Sequence, residues 1–119
     1  HLEQLVVLRD EERTRLGYVT RVSQGFEGEL ALSLRLWPGT PKTLALRPQS
    51  AAFSEDPPIP ALLLLETPED KAALILPPRT FSPSRGLRSL DAGPERKFRL
   101  TRLLQRGSDF ERVAFEETS

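Results

Sequence analysis

Arginine is the side chain with chemical potential that this sequence supplies in quantity. The 119 residues carry 14 Arg and three Lys against 17 acids, so the net charge is zero. A guanidinium is permanently charged and presents its donors as a rigid fork, which suits bidentate recognition of carboxylates and phosphates. Residues 79–106 hold Arg79, Arg85, Arg88, Arg96, Lys97, Arg99, Arg102 and Arg106 against only Asp91 and Glu95. The tail behind them is acidic, with Asp109, Glu111, Glu116 and Glu117 against Arg112. Two outcomes follow from this order. Either the basic strand pairs with its acidic neighbour, or it presents a phosphate-binding face.

Other chemistries lack their residues. There is no Cys, and the single His is residue 1. Thiolate nucleophiles, disulfides, zinc and iron–sulfur sites and His-based triads are therefore excluded as expectations. The carboxylate pairs Glu55/Asp56, Glu69/Asp70 and Glu116/Glu117 fall in turns or at the end, where acids are solvated. No Gly-x-Ser-x-Gly elbow and no Asp-x-Asp-x-Asp loop occurs. Gly25-Phe26-Glu27-Gly28 lacks the helix and the lysine of a phosphate-cradling loop, so it reads as a hairpin turn. The expectation is a protein that is not an enzyme, with no metal and no cofactor. A zero net charge argues against bulk attraction to nucleic acid. No apolar run approaches the ~20 residues that span a bilayer, and no basic-then-apolar leader opens the chain, so membrane insertion is not expected and a cytoplasmic location is. The first residue is not Met, which fits a domain of a longer protein.

The elements that must position these arginines read as strands. Leu30-Ala31-Leu32-Ser33-Leu34-Arg35-Leu36-Trp37 alternates strictly and predicts a half-buried strand with its leucines on one face. Trp37-Pro38-Gly39-Thr40 fits a type II turn, returning the chain into a strand over Lys42–Arg47. Upstream, Leu16–Val22 and Gln4–Leu8 read as strands, so 4–48 is expected to be a four-strand antiparallel meander. Residues 48–60, with four Pro, form a connector within one domain spanning 1–119. Ile59–Leu65 is a continuous apolar run, short enough for a strand buried on both faces. Thr67-Pro68-Glu69-Asp70 fits either a type I turn or a helix start; Pro77-Pro78 leaves so little room that the hairpin with Ala72–Leu76 is preferred.

Two hairpins then close the chain. One is Gly86–Leu90 with Glu95–Leu104. The other is Leu100–Arg106 with Phe110–Phe115 around Gly107-Ser108, whose order suits a type II′ turn. Phe98, Leu100 and Leu104 form one apolar set; Phe110, Val113 and Phe115 form another. Alternation from Phe98 would turn Arg102 inward, so either a bulge near Thr101 resets the register or Arg102 is buried with a partner. The fold class is all-β, an antiparallel barrel or split barrel of about eight or nine short strands. Trp37 and the phenylalanines read as core rather than as a base-stacking surface, and Pro77–Arg85 as a plain connector.

Leu16-Gly17-Tyr18-Val19, the alternating Glu29–Leu36 and Pro38-Gly39 resemble the strand–turn–strand pattern of PilZ-type barrels, bacterial modules that bind cyclic di-GMP. The resemblance covers residues 2–47. It implies a regulatory module of a bacterial signalling protein, with Arg side chains holding the phosphates and an aromatic or Arg face stacking guanine. That family's Arg-x-x-x-Arg pattern is matched by Arg9–Arg13 and again by Arg102–Arg106. Its [Asp/Asn]-x-Ser-x-x-Gly motif is absent; Arg21-Val22-Ser23-Gln24-Gly25 begins with the wrong residue and is one residue short. The ligand-binding candidates are Arg9, Arg13 and Arg21, with Arg99, Arg102 and Arg106 as the other set. The partners implied are a cyclic dinucleotide, a partner protein or other domains of the same chain. The second reading is a protein–protein interaction or assembly domain with no small ligand, using sheet edges and Pro-rich loops.

Overall fold

A computed structural model describes residues 3–9, 13–49, 57–90 and 94–118. Every regular element among them is a strand: β1 (Leu5–Arg9), β2 (Thr14–Gln24), β3 (Leu30–Leu36), β4 (Pro41–Pro48), β5 (Ile59–Leu64), β6 (Ala73–Leu76), β7 (Gly86–Ser89), β8 (Lys97–Arg106) and β9 (Glu111–Thr118). Strands β4 to β9 close into a six-stranded antiparallel barrel in the order β4-β5-β6-β9-β8-β7, with β4 pairing β7 to seal it. Strands β1, β2 and β3 form a separate antiparallel sheet. The all-β reading holds, and the nine strands are divided between these two bodies.

The expected four-strand meander is corrected at its last step. β4 pairs with β5 and β7, not with β3. The Pro38-Gly39 signal is real, since Gly39 has φ +102° and a Cβ there would sit 2.6 Å from Leu65 O. It turns the chain out of the sheet and into the barrel instead of folding β4 back on β3. The segment on which the PilZ resemblance rests is thus an open sheet plus the first barrel strand, and the other five barrel strands lie after it.

Two apolar clusters hold the bodies together. Inside the barrel, Leu44, Leu46, Ala61, Leu63, Leu74, Leu76, Leu87, Phe98, Leu100 and Val113 are buried. Leu103 packs against them, whereas Leu104, expected in the core, does not. Outside the barrel, Leu64, Ile75 and Phe110 are covered by Leu16 and Trp37 of the sheet. This explains the continuous apolar runs of β5 and β6. Alternate residues point into the barrel and under the sheet, so both faces are buried. Phe110 stands 5.4 Å from Trp37, edge to face, and Tyr18 completes the aromatic seam.

Turn chemistry follows the sequence in one hairpin and departs from it in another. Between β5 and β6, Thr67 N–H donates to Asp70 O, and Thr67 Oγ1 accepts from the N–H groups of Glu69 and Asp70. This turn replaces the helix start. Between β8 and β9 the type II′ expectation fails, because Gly107 lacks the positive φ that turn needs at its first central residue. The loop instead closes from Gly107 N–H to Phe110 O at 2.9 Å. Of the 48–60 connector, residues 50–56 lie outside the described residues.

The leucine face of β3 is the largest departure. It was expected to be half-buried, yet Leu30 and Leu32 are 71% and 57% exposed. β1 pairs with β2 only as far as Tyr18, and the barrel covers the base of the sheet, so the outer halves of β2 and β3 project as a two-stranded arm.

Candidate anion site at the seam of sheet and barrel

The six candidate arginines do not gather at one place. Arg9 ends β1 and Arg13 precedes β2, at the end of the sheet where residues 10–12 lie outside the described residues. Arg13 lines a cleft of about 260 Å³ with Arg15 and Glu69. Arg21 lies on the exposed arm, just past a bulge between Val19 and Arg21. Arg99, Arg102 and Arg106 all lie on β8.

The antiparallel register of β8 and β9 decides what those three can do. It sets Arg99 opposite Glu116 and Arg106 opposite Glu111. Arg99 is ion-paired to Glu116, and Arg106 Nε lies 3.4 Å from a Glu111 oxygen. Just before the strand, Arg96 holds Glu117 in a bidentate pair at 2.7 Å on both arms. The hydrogen bond from Arg96 keeps the Glu117 carboxyl below its ordinary value; burial opposes it, and the charge of Arg96 adds a lesser lowering. The basic strand therefore pairs with its acidic neighbour along most of its length.

Arg102 is the exception. The register shifts between Leu100 and Arg102, leaving Thr101 unpaired in a bulge. Leu100 stays in the core while Arg102 turns outward and is exposed. Of the two sequence alternatives, the bulge is the one realised. Arg102 then faces Ala114, which brings no charge.

Around Arg102 a cleft of about 330 Å³ is lined by Glu69, Asp70, Lys71 and Ala72 of the β5–β6 turn, Leu104 of β8, and Arg112 and Ala114 of β9. A second bulge between Leu103 and Gln105 places Leu104 there. Arg112 leans over the Trp37 ring, with Cζ 5.7 Å from its centroid. Its Nε is shut off from solvent and has no hydrogen-bond partner among the described residues. Three cations against two carboxylates leave one net positive charge, which suits a single phosphodiester or comparable monoanion. Sequence reasoning found Arg102 through its conflict with the alternation. It missed Lys71 and Arg112, whose convergence depends on the β6–β9 pairing.

The larger cleft, about 640 Å³, holds Arg99 and Arg85. Both guanidiniums are already engaged, Arg99 by Glu116 and Arg85 through Nη1 donating to Thr80 O. Among the described residues, no group of three His, Cys, Asp or Glu could hold a metal ion, and no helix is long and apolar enough to cross a membrane.

A closed six-stranded barrel with an arginine-bearing outer face and a sheet docked on its side defines a small β-barrel module. Residues 44–118 match the family model described as the FimW C-terminal beta-barrel domain. The chain belongs to that family. The match begins inside β4 and ends with β9, so it coincides with the barrel and leaves the β1–β3 sheet outside it. No match was found among the curated proteins or the solved structures.

Proposed function

We propose that this barrel is a non-enzymatic, PilZ-like regulatory module of a cytoplasmic bacterial signalling protein, and that it takes one phosphate of a cyclic dinucleotide in the cleft of Lys71, Arg102 and Arg112. One observation carries the reading. Arg96, Arg99 and Arg106 on or beside β8 are met by acids of β9, whereas Arg102 and Arg112 converge on one cleft and are in no ion pair among the described residues, though Glu69 and Asp70 line the same cleft. The exposed Arg102 and the part of Arg112 that lines the cleft offer charge-assisted hydrogen bonds to an anionic oxygen. The cleft lies within the size range of small-ligand sites, and Trp37 beneath Arg112 stiffens the guanidinium by stacking.

The measurement is calorimetric titration of the chain with cyclic di-GMP, with GTP as control. Binding is expected to weaken about tenfold to a hundredfold in Arg102→Ala, the size of losing one charge-assisted contact. Arg9→Ala/Arg13→Ala is expected to leave it unchanged. Loss of binding only in the latter pair would move the site to the end of the sheet. Absence of heat with either nucleotide would sink the dinucleotide reading and favour the protein-interaction alternative.

A further inference from the structure

The β2–β3 arm has the least internal reason to be ordered. Beyond Val19 it is two strands wide and exposed on both faces, and an isolated ribbon of that kind is marginal in water. Its leucine row is open, Val22 opposite Leu32 is 44% exposed, and Phe26 at the tip is fully exposed. Among the described residues, β3 pairs with β2 alone, so its outer edge is free.

The hydrogen bonds show which residues face that edge. Gly25 N–H donates to Glu29 O, Thr20 Oγ1 to Ser33 O, and Trp37 N–H to Leu16 O. The odd-numbered residues of β3 thus turn their main chain toward β2. The even-numbered ones, Leu30, Leu32, Leu34 and Leu36, present N–H and C=O groups outward. Natural sheets usually guard such an edge with Pro, a bulge or lysines. β3 has none of these.

We infer that this edge is a homodimer interface, in which β3 pairs antiparallel with β3 of a second copy about a two-fold axis at Leu32. The strand is self-complementary when read backwards about that residue. Leu32 meets its own copy, Leu30 meets Leu34, and Glu29 meets Arg35. The outward main-chain groups of Leu30, Leu32 and Leu34 then form hydrogen-bonded pairs. Glu29 and Arg35 occupy the closer non-hydrogen-bonded position on the face opposite the leucines. Arg35 has no ion pair among the described residues. Glu29 spends one carboxylate oxygen on Glu27 N–H at 3.0 Å and retains the other. Centring on Ser33 would instead set Arg35 against Ala31 and Glu29 against Trp37, so charge selects Leu32. The pairing is isologous and closes at two copies. At the far side of the sheet, Leu5 N–H is already taken by Asp109 at 2.8 Å.

The test is sedimentation equilibrium of the ligand-free chain, which keeps it independent of the dinucleotide reading. The expected mass is twice the 13.4 kDa of one chain. Arg35→Glu places like charges opposite each other twice and is expected to weaken the dimer about tenfold or more. Combining it with Glu29→Arg restores the charge pairing and the dimer. Leu32→Lys, which sets two ammonium groups on the axis, is expected to give a monomer with unchanged circular dichroism. Amide exchange supplies the geometry: in the dimer the Leu30, Leu32 and Leu34 amides are protected along with the odd-numbered ones. A monomeric wild-type chain, a dimer indifferent to Arg35→Glu, or a dimer whose even-numbered amides exchange freely would each overturn the proposal.

Discussion

Glu111 shows how much one side chain can organise. It opens β9 at an end of the barrel and is 1% exposed. Its carboxylate accepts the N–H groups of Arg79, Thr80 and Phe81 at 3.2, 3.1 and 2.8 Å, with Arg106 Nε at 3.4 Å. The 77–81 segment turns sharply there, with Arg79 at φ +62°, and its amides would otherwise lack acceptors. Removing a buried carboxylate that serves several donors typically costs about 3–5 kcal/mol. Glu111→Ala is expected to lose about that much in urea denaturation. Arg106→Ala removes only a partner that is 65% exposed and is expected to cost under about 1 kcal/mol. Similar small losses in both variants would contradict this account. In the sequence Glu111 was one more acid in a basic–acidic pair of strands. Nothing there distinguished a buried carboxylate serving a loop from the solvent-facing partners Glu116 and Glu117.

At the scale of elements, alternation located most of the strands, and the structure shows what alternation cannot say. The period of two in β3 identified a strand, but whether its leucine face is covered depends on what packs there. Local turn chemistry at Pro38-Gly39 likewise showed that the chain bends, not which strand receives β4. That choice was made by burial, since Leu44 and Leu46 are covered only inside a barrel closed by β5 and β7. Where the local pattern contradicted itself, the sequence was most informative. Phe98 and Leu100 inward and Arg102 inward could not all hold, and the Thr101 bulge resolves the conflict. The Thr101 side chain is exposed in this bulge, so Thr101→Val is expected to change stability by less than about 1 kcal/mol. Deleting Thr101 would set Arg102 directly after Leu100, still outward opposite Ala114 and with Leu103 inward, so the ladder becomes regular and both faces of β8 are kept. The deletion is expected to leave a folded barrel within about 2 kcal/mol of the parent, read from the thermal unfolding transition. A deletion variant that fails to fold would show that the kink and added twist of the bulge are themselves needed to close the barrel.

At the scale of the molecule, the family match stops where the barrel stops, yet the β1–β3 sheet is not an accessory to it. Leu64, Ile75 and Phe110 on the barrel's outer surface are each less than 5% exposed because Leu16 and Trp37 cover them. Ser108 N–H and Leu5 N–H tie the same two bodies, through Glu3 O and Asp109 Oδ1. An apolar seam of this kind resembles a continuous core rather than a contact between movable domains. The chain is therefore expected to unfold as one cooperative unit. Trp37, the sole tryptophan, sits in the seam, so its fluorescence reports on docking, while far-UV circular dichroism reports on all nine strands. The two urea transitions are expected to coincide. Leu16→Ala in the seam and Leu100→Ala in the barrel are each expected to shift both probes together, by the roughly 2–5 kcal/mol of a buried leucine truncation. A Trp37 transition at lower urea than the circular dichroism transition would show that the sheet detaches first. The anion cleft, bounded by Arg112 where it leans on Trp37, would then depend on a docking equilibrium rather than on a fixed wall.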